Sequence, residues 1–111
     1  MGMGSNTTWF VRGMLWRVLV VTRYRVAERA AEEFRSRAHR ALDVLGAWPG
    51  YLRGYVGRNV DDRQLWTVTM HWRDVGSYRR ALSGHDVKMT VVPLLSQALD
   101  EPSAYELDSD T

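Results

Sequence analysis

The sequence has 111 residues, is 45% hydrophobic, 25% charged and 11% aromatic, and carries a formal net charge of +2. This length predicts one domain with its own core, and the composition excludes a chain that is mostly disordered. The lack of cysteine excludes disulfides, a thiol nucleophile and cysteine-based metal sites, and no apolar run approaches the roughly 18 residues of a membrane span. We expect a protein of the reducing cytoplasm.

The positive charge is spread along the chain rather than clustered. All 15 basic residues precede Thr90, and 14 of them are arginines. Nucleic-acid-binding proteins usually carry a dense basic stripe with interleaved aromatic residues, whereas these arginines are scattered along alternating patterns. We therefore predict no nucleic-acid partner and no membrane partner.

The composition divides the chain into a flexible extension at 1–13, a domain at 14–107 and an acidic tail at 108–111. The domain begins with a strand of β-branched and aromatic residues that is apolar on both faces in its middle, so both faces need cover. Alternation places on one face Met14, Trp16, Val18, Val20, Thr22 and Tyr24. It places on the other face Leu15, Arg17, Leu19, Val21 and Arg23.

Residues 26–45 predict a helix because apolar residues, Phe34 and Leu45 among them, recur at three- and four-residue spacing. Glutamates near its start and arginines further along suit the helix dipole. The helix is expected to end at Gly46, and Pro49-Gly50 predicts a turn.

Two alternating segments at 51–58 and 64–72, joined by a polar turn, predict a β-hairpin. The first segment is expected to carry on one face Tyr51, Arg53 and Tyr55. The second is expected to carry on one face Trp66, Val68, Met70 and Trp72. His71 then lies on the opposite face of that strand.

The rest of the domain predicts helices and one short strand. Residues 74–82 predict a short helix with Asp74 as its N-cap, and 86–99 predict a helix that Pro93 kinks or divides in two. Residues 103–107 predict a final strand. The order βαββαβ is that of a ferredoxin-like α+β domain, an antiparallel sheet with helices on one face. Its other face is apolar enough that we predict a twofold homodimer with two sheets face to face.

At this point the sequence resembles the antibiotic biosynthesis monooxygenase family of the dimeric α/β-barrel superfamily. The element order, the turn at Pro49-Gly50, the His71-Trp72-Arg73 strand end before a short helix and the weak final strand carry the resemblance, over 14–107. It implies oxygenases that need no cofactor and act on polycyclic aromatic phenols of polyketide pathways. Haem-degrading enzymes and small quinol oxygenases are also members.

The haem-degrading branch fits this chain poorly. The resemblance implies an essential tryptophan where this chain has Arg80, a proximal histidine where it has Thr90, and an asparagine where it has Val18. His85 lies about a turn and a half too early to replace that histidine. Haem degradation is therefore disfavoured.

Common catalytic motifs such as GxSxG, HExxH and the phosphate-binding loops are absent, and the three histidines lack metal-ligand spacing. His71 and His85 are the candidate general bases, because an imidazole can take a phenolic proton near neutral pH. Arg17 and Arg53 lie within strands and are candidates to stabilise a phenolate or enolate. The competing interpretation makes His71 a hydrogen-bonded interface residue and the arginines partners in ion pairs.

An apolar pocket for a flat ligand is the second candidate feature. Its predicted substrate-binding residues are Tyr51, Trp66, Met70 and Trp72. Taken one at a time, each is more often a residue of the core or of a dimer interface. The sequence predicts a cofactor-independent monooxygenase that oxidises an electron-rich phenol or anthrone with O₂ to a quinone, without metal or cofactor. The alternative from another class is a small-ligand-binding or stress-associated module without catalysis.

Overall fold

The computed structural model describes residues 16–108. The predicted extension at 1–13, the first two residues of the predicted domain, Met14 and Leu15, and residues 109–111 of the tail therefore lie outside the described part. The sheet has four strands in the order β2-β3-β1-β4, and the recorded pairings are antiparallel. The strands are β1 Val18–Arg25, β2 Tyr51–Arg58, β3 Leu65–Trp72 and β4 Ala104–Glu106. The predicted ferredoxin-like α+β fold is confirmed.

The helices follow the predicted order and cover one face of the sheet. They are α1 Ala31–Gly46, α2 Val75–Leu82, α3 His85–Thr90 and α4 Val92–Leu95, and a 3₁₀ turn at Glu28–Ala30 precedes α1. The predicted division near Pro93 is real, because proline cannot donate the backbone hydrogen bond that would continue α3 into α4. Within the described part, no helix is long and apolar enough to cross a membrane.

The core lies between the sheet and the helices. Every second residue of β1 and of β3 is buried, and these side chains meet the buried residues of the helices. On the sheet they are Val18, Val20, Thr22, Tyr24, Trp66, Val68, Met70 and Trp72. The predicted faces of both strands are therefore correct within the described residues, because a residue period of two decides which side chains share a face.

Strand β2 departs from its predicted alternation at its start. Tyr51 pairs with Trp72, but the next registered residue is Arg53, opposite His71, so Leu52 forms a bulge. A bulge adds one residue and shifts the side chains before it to the other face. The prediction that Tyr51 shares a face with Arg53 and Tyr55 is wrong, since the Tyr51 ring packs edge-on against Trp72 in the core with centroids 5.3 Å apart.

The turn between α1 and β2 needs its glycine. Gly50 has a φ of 92°, and its carbonyl accepts a 2.7 Å hydrogen bond from the backbone N–H of Arg73. A β-carbon at this position would also lie 2.3 Å from Ser77 Oγ. The predicted Pro49-Gly50 turn thus ties the end of β3 to the start of β2.

Asp74 is the N-cap of α2, as predicted. Its Oδ1 accepts a 2.8 Å hydrogen bond from the backbone N–H of Ser77. We expect Asp74→Ala to lower the free energy of unfolding by about 1 kcal/mol, measured by urea denaturation. Asp74→Asn keeps an acceptor and should cost much less; equal losses for both variants would mean that the carboxylate charge, and not the cap, stabilises the helix.

Candidate active site

The side of the sheet away from the helices carries a set of half-buried and exposed side chains, which we call the open face. Strand register arranges its residues in rows across the sheet, because directly paired residues point to the same side. The first row is Arg53, His71, Leu19 and Tyr105. The second row is Tyr55, Thr69 and Val21. The third row is Gly57, Thr67 and Arg23.

His71 is the titratable residue in the middle of the first row. Its Nε2 atom is buried and makes no hydrogen bond within residues 16–108. Burial lowers the pKa of His71 below its usual 6.5, and the positive charges of Arg17 and Arg53 lower it further. The imidazole is therefore mainly neutral at pH 7, and one of its nitrogens is not hydrogen-bonded to any described residue.

Arg17 and Arg53 reach His71 from two sides. Arg53 stands directly opposite His71 on β2, and Arg17 immediately precedes β1. Hydrogen bonding to Tyr55 raises the pKa of Arg53, so this guanidinium stays charged. We call these three residues the His71 cluster. The structure thus brings together three of the four predicted catalytic residues.

The His71 cluster combines a proton acceptor with fixed positive charge. A neutral imidazole can remove a proton from a phenol-type substrate, and a guanidinium stabilises the anion that this creates. The same charges that lower the basicity of His71 also lower the energy of a neighbouring phenolate. The arrangement can therefore move a substrate toward its ionised form near neutral pH.

His85 lies apart from this cluster. It is the exposed first residue of α3, in the helical layer on the other side of the sheet. The structure does not bring His85 together with Arg17, Arg53 or His71. His39, predicted to be solvated, is exposed on α1.

The four predicted substrate-binding residues lie on the helix-covered side. Met70 and Trp72 are fully buried, Trp66 is buried, and Tyr51 packs on Trp72. The Arg58 guanidinium lies 4.8 Å from the centre of the Trp66 ring, a cation–π contact. These residues do not share a surface with His71, and their packing favours a role in the core. The indole nitrogens of Trp66 and Trp72 are buried without a partner among the described residues.

A groove of about 350 Å³ lies at the hairpin end of β2 and β3. It begins one row away from His71 on the open face and also includes Arg58 and Trp66, a pair that belongs to the other face. It is lined by Val21, Arg23, Gly57, Arg58, Asn59, Leu65, Trp66, Thr67 and Thr69. Of these residues, only Trp66 is among the site residues predicted from the sequence. The available signal was Gly57, because a glycine inside a strand often marks a place where something approaches the backbone closely.

A second cleft, of about 370 Å³, lies between β1 and the segment that leads into β4. Thr22 and Tyr78 form part of its wall, with Leu95, Leu99 and Asp100. Burial raises the pKa of Tyr78, so its phenol stays neutral. The described residues that line this cleft include no histidine and no arginine, so it offers neither a base like His71 nor a fixed cation for a phenolate.

The described residues do not form a metal site. Residues 16–108 contain no group of three or more histidine, aspartate or glutamate side chains placed to hold a metal ion.

The sequence profile of the antibiotic biosynthesis monooxygenase family matches residues 17–91, which is most of the domain. The chain belongs to this family. No curated protein matches this chain. Family membership agrees with the fold and leaves the substrate open.

Solved structures of the antibiotic biosynthesis monooxygenase type share this fold. SnoaB, a cofactor-independent oxygenase from Streptomyces nogalater, superposes with a TM-score of 0.73 at 23% identity, over 86% of this chain and 96% of that one. A proposed antibiotic biosynthesis monooxygenase from Deinococcus radiodurans has a TM-score of 0.70 at 18% identity, with 85% and 95% covered. A conserved protein from Methanosarcina mazei has a TM-score of 0.68 at 20% identity, with 87% and 97% covered.

Proposed function

We propose that this protein is a cofactor-independent monooxygenase that oxidises an electron-rich phenol or anthrone to a quinone, with His71 as the base. The observation that carries the proposal is a neutral His71 on the open face, paired across the sheet with Arg53 and close enough to Arg17 for its charge to lower the pKa of the imidazole. SnoaB, whose fold the chain shares, is itself a cofactor-independent oxygenase. The proposal assigns this chain the same reaction class.

The reaction begins with proton transfer to His71. The anion left behind passes one electron to O₂, and the substrate radical and superoxide then combine to a peroxide. Loss of water from the peroxide gives the new carbonyl, so a CH₂ group and O₂ become a C=O group and H₂O. His71 returns its proton to the departing hydroxide. Arg17 and Arg53 stabilise the substrate anion, and the O₂ molecule supplies both oxygen atoms.

A reaction through radicals needs a site that excludes water. On the open face Leu19, Val21 and Leu65 are half-buried, and the rings of Tyr55 and Tyr105 are 50% and 52% exposed. We include in the proposal a second copy of the chain that packs its own open face against this one. Such a twofold pairing would cover the apolar side chains and enclose the His71 cluster.

If two copies pair through their open faces, a charge added to that face should weaken self-association, whereas a charge added to the helical layer should not. We expect Val21→Arg to weaken self-association at least tenfold, because a guanidinium beside Arg23 would be buried against a second basic face. Sedimentation velocity over a range of protein concentrations measures this.

Val92→Arg is the matched control, since Val92 lies on α4 in the helical layer and is already exposed. It should leave the association constant unchanged. A wild-type chain that sediments as a stable monomer, or equal effects of both variants, would contradict an interface on the open face.

Oxygen uptake tests the proposed function directly. Purified protein, free of added flavin and metal, should consume O₂ with anthrone or 1-naphthol and release the corresponding quinone. If these ligands raise the melting temperature without turnover, the chain is a binding module. If haem binds with a Soret band that disappears on adding a reductant, the chain is a haem-degrading enzyme. Either result overturns the proposal.

A further inference from the structure

The chain between α4 and β4 runs beside β1 without forming a helix or a strand of its own. It consists of residues 96–103, and we call it the strap. Strand β4 pairs only with Val18–Val20, so the strap lies along the part of the β1 edge that β4 leaves uncovered. Its start is tied to α1 by a 3.1 Å hydrogen bond from Arg37 to Gln97. None of its eight residues is buried.

The attachment of the strap to β1 is concentrated at Arg23. Leu99 donates its backbone N–H to the carbonyl of Arg23 at 2.8 Å. The Arg23 guanidinium donates two 2.7 Å hydrogen bonds to the Glu101 carboxylate, a paired geometry that fixes the orientation of both side chains. A 2.7 Å hydrogen bond from the backbone N–H of Val21 to the carbonyl of Ser103 lies at the other end of this contact.

The strap also forms one wall of the cleft of about 370 Å³ beside β1. The opposite wall includes Thr22 of β1 and Tyr78 of α2. Tyr78 is only 9% exposed while the strap is in place. Movement of the strap away from β1 would therefore widen the cleft and expose Tyr78.

We propose that the strap is a movable wall of this cleft and that the Arg23–Glu101 ion pair is the latch that holds it closed. A segment with no buried side chain and few hydrogen bonds to its neighbours opens at a lower free-energy cost than the core does. The proposal is independent of the reaction assigned to His71, because no residue of the strap belongs to the His71 cluster. A second copy on the open face would exclude water from Arg23 and strengthen the latch.

Hydrogen exchange of single amides, followed by NMR, tests the latch. We expect the Leu99 amide to exchange about fivefold faster in Glu101→Gln and in Arg23→Gln, because a partly exposed ion pair contributes on this scale. The double variant should exchange no faster than either single variant, since both changes remove the same pair. Sedimentation confirms that all variants are compared in the same oligomeric state.

Arg25→Gln is the matched control. It breaks a 3.0 Å ion pair with Asp62 on the same strand, away from the strap, and should leave the exchange of Leu99 unchanged. The Met70 amide, in the middle of β3, reports on opening of the whole domain. If Met70 accelerates as much as Leu99, the pair stabilises the entire fold and is not a latch. If neither amide accelerates, the pair holds nothing closed, and the proposal is wrong.

Nitration by tetranitromethane, located by mass spectrometry, tests whether movement of the strap opens the cleft. Tyr55 is 50% exposed and serves as the internal standard. Relative to Tyr55, we expect Tyr78 to be nitrated about fivefold faster in Glu101→Gln than in the wild type, in step with the exchange of Leu99. If the exchange of Leu99 accelerates and the nitration of Tyr78 does not, the strap moves without opening the cleft, and the proposal fails.

Discussion

Replacing His71 by asparagine is expected to reduce turnover about 10²- to 10⁴-fold, the usual contribution of a general base. Asparagine keeps a polar side chain of similar size but cannot accept a proton near neutral pH. Because His71 is half-buried on the open face and its Nε2 bonds to no described residue, its loss should not unfold the protein. Oxygen uptake with anthrone measures turnover, and circular dichroism checks the fold.

The surroundings of His71 determine the direction in which the pH dependence of turnover is displaced. Burial and then the charges of Arg17 and Arg53 lower the pKa of this imidazole, so the proposed base stays unprotonated to a lower pH than an ordinary histidine. We expect the acid limb of kcat/KM to lie below pH 6.5 and to vanish in His71→Asn. Arg53→Gln removes one repelling charge, so its acid limb should move to higher pH. A shift to lower pH would contradict the electrostatic coupling.

Two control variants test the proposed location of the reaction. His85→Asn alters an exposed histidine in the helical layer and should leave turnover unchanged. Tyr78→Phe alters the wall of the cleft between β1 and the chain before β4, and should also have little effect. If Tyr78→Phe abolishes turnover while His71→Asn does not, the substrate binds between helices and sheet, and the assignment to the open face is wrong.

The architecture was predictable because its determinants are local. Alternation of apolar residues with a period of two defined the faces of β1 and β3, and Pro93 and Asp74 marked where helices break and begin. Tyr51 shows the limit of this reasoning. One extra residue at Leu52 moved Tyr51 into the core, and a bulge leaves no mark in the alternation of a short strand.

Only some residues of the candidate site could be predicted from the sequence, because the site also depends on long-range strand register. Sequence alternation separates His71 from Trp72, but it does not reveal which face the helices cover. His71, Arg17 and Arg53 come together only through the registers of β1 and of β2 on β3, which are long-range properties. The groove at Gly57 needs the same registers. An aromatic residue that lines a pocket and one that fills a core have the same sequence signature, and packing distinguishes them.

Trp72 is an aromatic residue whose packing in the core should have the largest effect on stability. It is fully buried and touches two aromatic rings, Tyr51 at 5.3 Å and Tyr78 at 5.6 Å between centroids. We expect Trp72→Ala to lower the free energy of unfolding by about 3–5 kcal/mol, because it removes this packing and leaves a cavity. Against a total of about 5–15 kcal/mol this is a large loss, measurable by urea denaturation.

Trp72→Phe separates a core role from contact with substrate. Phenylalanine keeps a ring between Tyr51 and Tyr78 and removes the indole N–H, which is buried and has no partner among the described residues. Losing an unsatisfied donor offsets part of the lost packing, so this variant should cost well under half as much as Trp72→Ala. Its turnover per folded molecule should stay near that of the wild type. If stability is unchanged and turnover falls sharply, Trp72 touches the substrate, and the reaction takes place on the helix side of the sheet.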